Sequence, residues 1–210
     1  CINNAVENNN YEILKLLISE INDVDILSLN FIKLIKKSCS NGNEKIFELL
    51  YEKFPELNFS DEHYIYFYNS CLSDNVNLID KIYNYSKDID IYYTFGVTSL
   101  LDEIISLGNY KTFCWLIEKE DNLFYFNLKQ YYFFEKSTYS NNLDLIKKIY
   151  SLINNKNKIN YLKIITNLTN TNNNNNDIIL YLENISGFNL LNTSFQIIKN
   201  IINNNNFELL

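Results

Sequence analysis

Asn10-Tyr11-Glu12-Ile13-Leu14-Lys15-Leu16-Leu17-Ile18 returns as Asn43-Glu44-Lys45-Ile46-Phe47-Glu48-Leu49-Leu50-Tyr51, and again as Asn75-Val76-Asn77-Leu78-Ile79-Asp80-Lys81-Ile82-Tyr83. The shared template is an asparagine, two variable residues, an apolar pair, two variable residues and a second apolar pair. It opens again at Asn109, Asn142 and Asn175, and a seventh copy starts at Asn206-Phe207-Glu208-Leu209-Leu210. The spacings between anchors are 33, 32, 34, 33, 33 and 31 residues. A fixed period of this length is the mark of a repeat architecture, so the period decides the fold.

Apolar pairs one turn apart lie on one stripe of an α-helix, with Glu and Lys on the opposite face, so each copy predicts an amphipathic helix of about three turns. Another helical stretch precedes each later anchor, over residues 32–39, 64–72, 100–106, 131–138, 161–168 and 195–202. Two helices therefore fill each period. Turn formers separate them: Asn41-Gly42-Asn43, Ser73-Asp74-Asn75, Gly108-Asn109, Asn141-Asn142 and the run 172–176. Gly and Asn tolerate the left-handed backbone that ends a helix and reverses the chain. The asparagine runs 172–176 and 203–206 each precede a second helix, which makes them expanded surface turns.

This pattern resembles the ankyrin repeat, whose unit is a β-turn followed by two antiparallel helices with a G-H turn between them. The family's second-helix apolar register matches the template above. Its exit sequence matches Asp23-Val24-Asp25, Glu56-Leu57-Asn58 and Asp88-Ile89-Asp90, and its small pair before the turn matches Ala5-Val6, Ser38-Cys39, Ser70-Cys71 and Ser137-Thr138. The T-P-L-H signature has its nearest counterpart in Thr98-Ser99-Leu100-Leu101. The resemblance implies an all-α, ankyrin-type solenoid of stacked helix-turn-helix repeats of about 33 residues. The units would be 1–25, 26–58, 59–90, 91–124, 125–157, 158–190 and a partial 191–210. It also implies a scaffold or adaptor that binds another protein on the concave face of the array, through turns and first helices and with no cofactor. Cys39 and Cys71 become equivalent packing positions. The alternative is the recognition arm of a larger enzyme or signalling protein whose catalytic domain lies elsewhere, because both ends fall within repeats and the chain reads as a piece of a longer one.

Composition narrows the function classes. The chain has 38 Asn, 29 Ile and 18 Lys but no Arg, and its net charge is −7. Nucleic-acid affinity rests on clustered cations that release counterions, and bidentate readout rests on arginine, so nucleic acid is not an expected partner. No apolar run approaches the ~20 residues that cross a bilayer, so no membrane is expected either. The scarcity of Ala, Gly and Pro beside abundant Asn, Lys, Ile, Tyr and Phe matches A- and T-rich codons. Cys1, Cys39, Cys71 and Cys114 form no C-x-x-C pair, so no metal is expected. Five N-x-S/T sequons are close to the chance number for this composition and do not point to secretion. A cytoplasmic monomer is the expectation.

No chemistry is apparent. His63 is the lone imidazole, and Ser60-Asp61-Glu62-His63 reads as the capped start of a first helix. Pro55 follows a second helix, where a residue that cannot continue one is useful. No phosphate-binding glycine loop occurs. Carboxylate pairs such as Asp61-Glu62 and Asp102-Glu103 are adjacent, point apart on a helix and read as solvated charges. The protein is not expected to be an enzyme. Aromatic residues cluster at Tyr64, Tyr66, Phe67 and Tyr68, and from Phe124 to Phe126 with Tyr131 to Phe134. They cannot all face a core, and tyrosines favour protein interfaces, so Tyr64, Tyr66, Tyr68, Tyr131 and Tyr132 are the candidate partner-binding residues.

Overall fold

Each anchor asparagine is followed by a helix that buries one and the same register. Counting from the anchor, positions +3, +4 and +7 are Ile46, Phe47 and Leu50; Leu78, Ile79 and Ile82; Leu145, Ile146 and Ile149; and Ile178, Ile179 and Leu182, all buried. Thr112, Phe113 and Leu116 hold these places after Asn109. The first copy departs from the pattern: Leu14 and Ile18 are buried, whereas Ile13 is half exposed.

The structure is a computed structural model and describes residues 1–20, 31–53, 63–85, 94–95, 98–119, 124–170 and 175–187. Among the described residues it has twelve α-helices. They are α1 (Ile2–Glu7), α2 (Tyr11–Ser19), α3 (Phe31–Ser40), α4 (Glu44–Lys53), α5 (His63–Leu72), α6 (Val76–Tyr85), α7 (Leu100–Leu107), α8 (Tyr110–Lys119), α9 (Phe124–Ser137), α10 (Leu143–Leu152), α11 (Tyr161–Thr169) and α12 (Asn176–Ser186). Odd-numbered helices are the first of each pair and even-numbered ones the second. The protein is therefore all-α, apart from an antiparallel ladder of two residues per strand, β1 (Thr94–Phe95) and β2 (Thr98–Ser99), ahead of α7. Among the described residues no helix is long and apolar enough to cross a membrane.

Two compact units make up the chain. The first holds Cys1–Ile104 with Lys111–Glu120, and the second Ile105–Tyr110 with Asp121–Leu210. Within the first unit α3 packs against α1 and α5, and α4 packs against α2, so first helices lie beside first helices and second beside second. Close approach of the first helices depends on the small residues at their ends. Ala5-Val6, Ser38-Cys39, Ser70-Cys71 and Ser137-Thr138 are all buried. A buried hydroxyl needs a partner, and three of these serines find one a turn back. Ser38, Ser70 and Ser137 donate to the carbonyls of Ile35, Phe67 and Phe134 at 2.8, 2.7 and 2.8 Å. Cys39 and Cys71 are buried and free, and burial pushes both thiols well above their ordinary range.

Two expectations are corrected here. Asp102 is not a solvated charge but is 95 % buried. Ser99 Oγ donates to its Oδ2 at 2.6 Å and the Asp102 amide donates back to Ser99 Oγ at 3.2 Å, a reciprocal cap on the start of α7. The first helix of the fifth pair begins at Phe124 rather than near Tyr131. Lys129, at φ −119°, kinks it, and Phe126 stacks on Phe133 at 5.8 Å, holding the extra turn on the core. The exits 23–25, 56–58 and 88–90, the caps Ser60 and Asp61, the His63 side chain, Pro55, residues 172–174 and everything from 188 onward, including 195–202 and the Asn206 copy, lie outside the described residues.

Candidate protein-binding surface

The turns come first, because they fix how the helices are presented. The residue before each of five anchors has positive φ: Asn9 (55°), Gly42 (66°), Asp74 (57°), Gly108 (75°) and Asn141 (60°). That left-handed step closes the preceding helix. Asn10 and Asn43 amides reach back five residues to the carbonyls of Ala5 and Ser38 at 2.8 and 3.0 Å, and the next helix starts at once. The anchor then caps that helix. Oδ1 of Asn10, Asn43, Asn75 and Asn142 accepts from the amides of Ile13, Ile46, Leu78 and Leu145 at 3.2, 3.1, 3.3 and 3.1 Å.

A second bond leaves some of these turns for the pair before. Asn75 Nδ2 donates to the Gly42 carbonyl and Asn142 Nδ2 to the Gly108 carbonyl, both at 2.7 Å. Asn41 Nδ2 reaches Val6 O at 3.1 Å. Between the third and fourth pairs the sense reverses, and the Thr112 amide donates to Asp74 Oδ1 at 2.7 Å. Sequence reasoning missed this role, although a signal existed: a cap needs only an acceptor, yet every anchor is Asn rather than Ser, Thr or Asp, and only Asn adds a donor.

The five tyrosines divide. Residues 64 and 68 share a helical face one turn apart, and residue 66 sits about 200° round the helix from 64. Tyr66 accordingly lies in the core at 2 % exposure, beside Phe67, and offers no surface to a partner. Tyr64 and Tyr68 are half-buried, their rings 6.3 Å apart. Partial burial first, and then the hydrogen bond to the Glu103 carboxylate, hold the Tyr68 hydroxyl above its ordinary pKa. In the second unit Tyr131 is half-buried and donates to Asn155 O at 3.1 Å. Tyr132 is 49 % exposed, with Lys136 Nζ donating to its hydroxyl at 3.2 Å and the Lys129 and Lys136 ammonium groups 5.8 and 5.4 Å from the ring centre. Phe133 and Phe134 are core residues.

Around Tyr132 the first helices of the second unit carry an exposed apolar set that the aromatic clusters alone did not reveal. Leu128 is 66 % exposed one turn before Tyr132, Leu162 on α11 is 48 % exposed and Tyr139 44 %. Glu135 to Lys163 at 2.8 Å and Asn167 Nδ2 to Tyr139 Oη at 3.1 Å tie the outer sides of α9 and α11 together. Leu128, Tyr132 and Leu162 thus stand on elements whose relative position is held by polar bonds.

On the first helices of the first unit, a groove of about 240 Å³ runs across α1, α3 and α5, with Val6 and Leu34 along it and Glu7, Lys33, Lys36 and Lys37 at its edges. The second helices of that unit differ in kind. There Lys81 bridges Glu44 at 2.7 Å and also Glu48, and Tyr51 stacks on Tyr85 at 4.8 Å. Trp115 Nε1 donates to Asp80 Oδ1 at 3.2 Å, and Lys119 lies 2.9 Å from the same oxygen. The Lys119 bond foremost holds the Asp80 carboxyl below its usual range. Those charges are used between neighbouring helices. Among the described residues no group of three or more His, Cys, Asp and Glu could hold a metal ion.

Searches of protein-family models, of curated proteins and of solved structures find nothing that matches this chain.

Proposed function

We propose that the chain is a divergent ankyrin-type repeat array whose work is reversible binding of another protein through the exposed side of its first helices. The observation that carries this reading is the set Leu128, Tyr132, Leu162 and Tyr139, four large side chains between 44 and 66 % exposed on two adjacent first helices. Exposing one such side chain is ordinary, but a group of them rimmed by lysines is the composition of an interface core with a polar edge. Tyr132 suits an anchoring role, since its ring is already held by Lys129 and Lys136 and little side-chain freedom remains to be lost on binding. The recurrent turn supports the family assignment: a left-handed residue, an asparagine cap and a bond to the preceding pair recur around one period.

The test is capture from lysate on the immobilised chain. The set of retained proteins is compared between wild type, a Leu128→Ala/Tyr132→Ala/Leu162→Ala variant, and a Tyr85→Ala/Leu180→Ala variant that removes comparably exposed side chains from second helices. Loss of a retained protein in the first variant alone supports the reading. Equal retention by all three, or retention of nothing by wild type, contradicts it.

A further inference from the structure

The first-helix groove of the first unit has a chemistry of its own. The helices that form it, α1, α3 and α5, hold three lysines against one glutamate, in a chain whose net charge is −7. All three lysines, Lys33, Lys36 and Lys37, come from α3, and all three line the groove together with Val6, Leu34 and Glu7. Spaced at i, i+3 and i+4, they share one side of the helix, so their ammonium groups are presented together while their stems extend the apolar wall made by Val6 and Leu34. The second helices α2, α4 and α6 hold four lysines against five acids, and there Lys81 is taken up by Glu44 and Glu48. Basic character in the first unit is therefore concentrated on the groove.

Size and charge together select the occupant. At about 240 Å³ the groove is smaller than the ~300–1,000 Å³ of sites that enclose a small-molecule ligand, and it suits one or two side chains of a larger molecule. A nucleic acid is disfavoured, because the chain has no arginine and a net charge of −7 repels a phosphate backbone beyond the groove itself. An acidic peptide segment carries compact, local charge and can also supply apolar side chains. We infer that the groove takes an acidic segment of the partner protein, with an apolar side chain against Val6 and Leu34 and flanking carboxylates meeting Lys33, Lys36 and Lys37. This rests on the protein-binding reading above and assigns the partner's charge. It places the acidic contact on the first unit, apart from the apolar set around Tyr132.

The experiment uses the full chain, fluorescently labelled, on an array of short peptides that vary independently in Asp/Glu, Lys and Leu/Phe content, with single-stranded oligothymidylate as a competitor. The expected result is retention of peptides that place Asp or Glu beside Leu or Phe. Their affinity should fall about ten-fold or more in a Lys33→Gln/Lys36→Gln/Lys37→Gln variant and should weaken with salt, as rim charges do. All three positions are on the surface of α3, and a circular dichroism spectrum equal to wild type confirms that the variant is folded. Preference for neutral or basic peptides, no retention, unchanged affinity in the variant, or displacement by oligothymidylate as effective as by free peptide would each overturn the inference. Lysate capture separates the two failures. If the Lys variant retains the same proteins as wild type, the groove assignment fails while protein binding stands. If wild type retains nothing, the reading beneath it fails as well.

Discussion

Asn75 does two things with one amide group, and the two can be separated. Its oxygen caps α6 at Leu78 and its nitrogen donates to the Gly42 carbonyl 33 residues earlier. Aspartate caps a helix as well as asparagine but cannot donate, so Asn75→Asp keeps the first bond, loses the second and turns a charged oxygen toward a carbonyl. Chemical denaturation should show a loss of about 1–2 kcal/mol for Asn75→Asp. Asn10, which makes only the cap bond among the described residues, is the control, and Asn10→Asp should stay within about 0.5 kcal/mol of wild type or gain slightly from the helix dipole. Equal effects at the two sites would remove the inter-pair bond from the account. Gly108 offers a second test at this scale. At φ 75° a Cβ would stand 3.0 Å from the backbone oxygen of Ser140, whereas at Gly42 the nearest atoms, at 3.1 Å, belong to the Ser73 side chain. Both Ala variants pay the left-handed cost of about 1–2 kcal/mol. Since backbone yields less readily than a serine side chain, Gly108→Ala should have the lower melting temperature of the two. Individual residues were also where sequence reading reached least far. Tyr66 and Asp102 belong to types that are usually exposed, and only the helical angle in one case and the reciprocal Ser99 cap in the other put them inside.

At the scale of elements, the helices were legible because the apolar period and the Asn or Gly turn mark both ends. Residues 64–72 were expected and His63–Leu72 is found, and residues 161–168 became Tyr161–Thr169. The fifth first helix was less legible, because Phe124 to Phe126 and Tyr131 to Phe134 are equally aromatic and the break between them, at Lys129, carries no Gly or Pro. What joins neighbouring second helices was not legible at all, since it depends on side chains one period apart. The Asp80 cluster is the measurable case. With its carboxyl held below the unfolded value of about 3.9, Asp80 contributes stability that is fully present above that pH and is lost as pH falls through the folded value. Urea midpoints measured from neutral pH down to about pH 3 should therefore fall more steeply in wild type than in Asp80→Asn. Lys119 and Asp80 are 37 and 42 % exposed, so the difference should be small and should shrink in high salt. Parallel curves at low salt would show that the pair adds nothing.

For the whole molecule, the central claim is that the chain is built from equivalent helix pairs set by one period, each burying its +3, +4 and +7 residues against its neighbours. Stability in such an array is a sum of unit and nearest-neighbour contributions, so one whole unit can be removed where a fraction of one cannot. The sequence supplies a junction for that removal. Gly42 and Asp74 both have positive φ, and both stand immediately before a capping asparagine. Deleting residues 43–74 therefore joins Gly42 to Asn75 and restores a turn of the observed kind, with α6 following α3. The most direct measurement is thermal unfolding of this variant, followed by circular dichroism, beside a variant lacking residues 43–58, which removes α4 and leaves its partner helix without a pair. The account predicts that the first variant keeps the wild-type helical signal per residue and unfolds in a cooperative transition, while the second loses signal and cooperativity. Equal collapse of both variants would contradict the claim that the period is the structural unit.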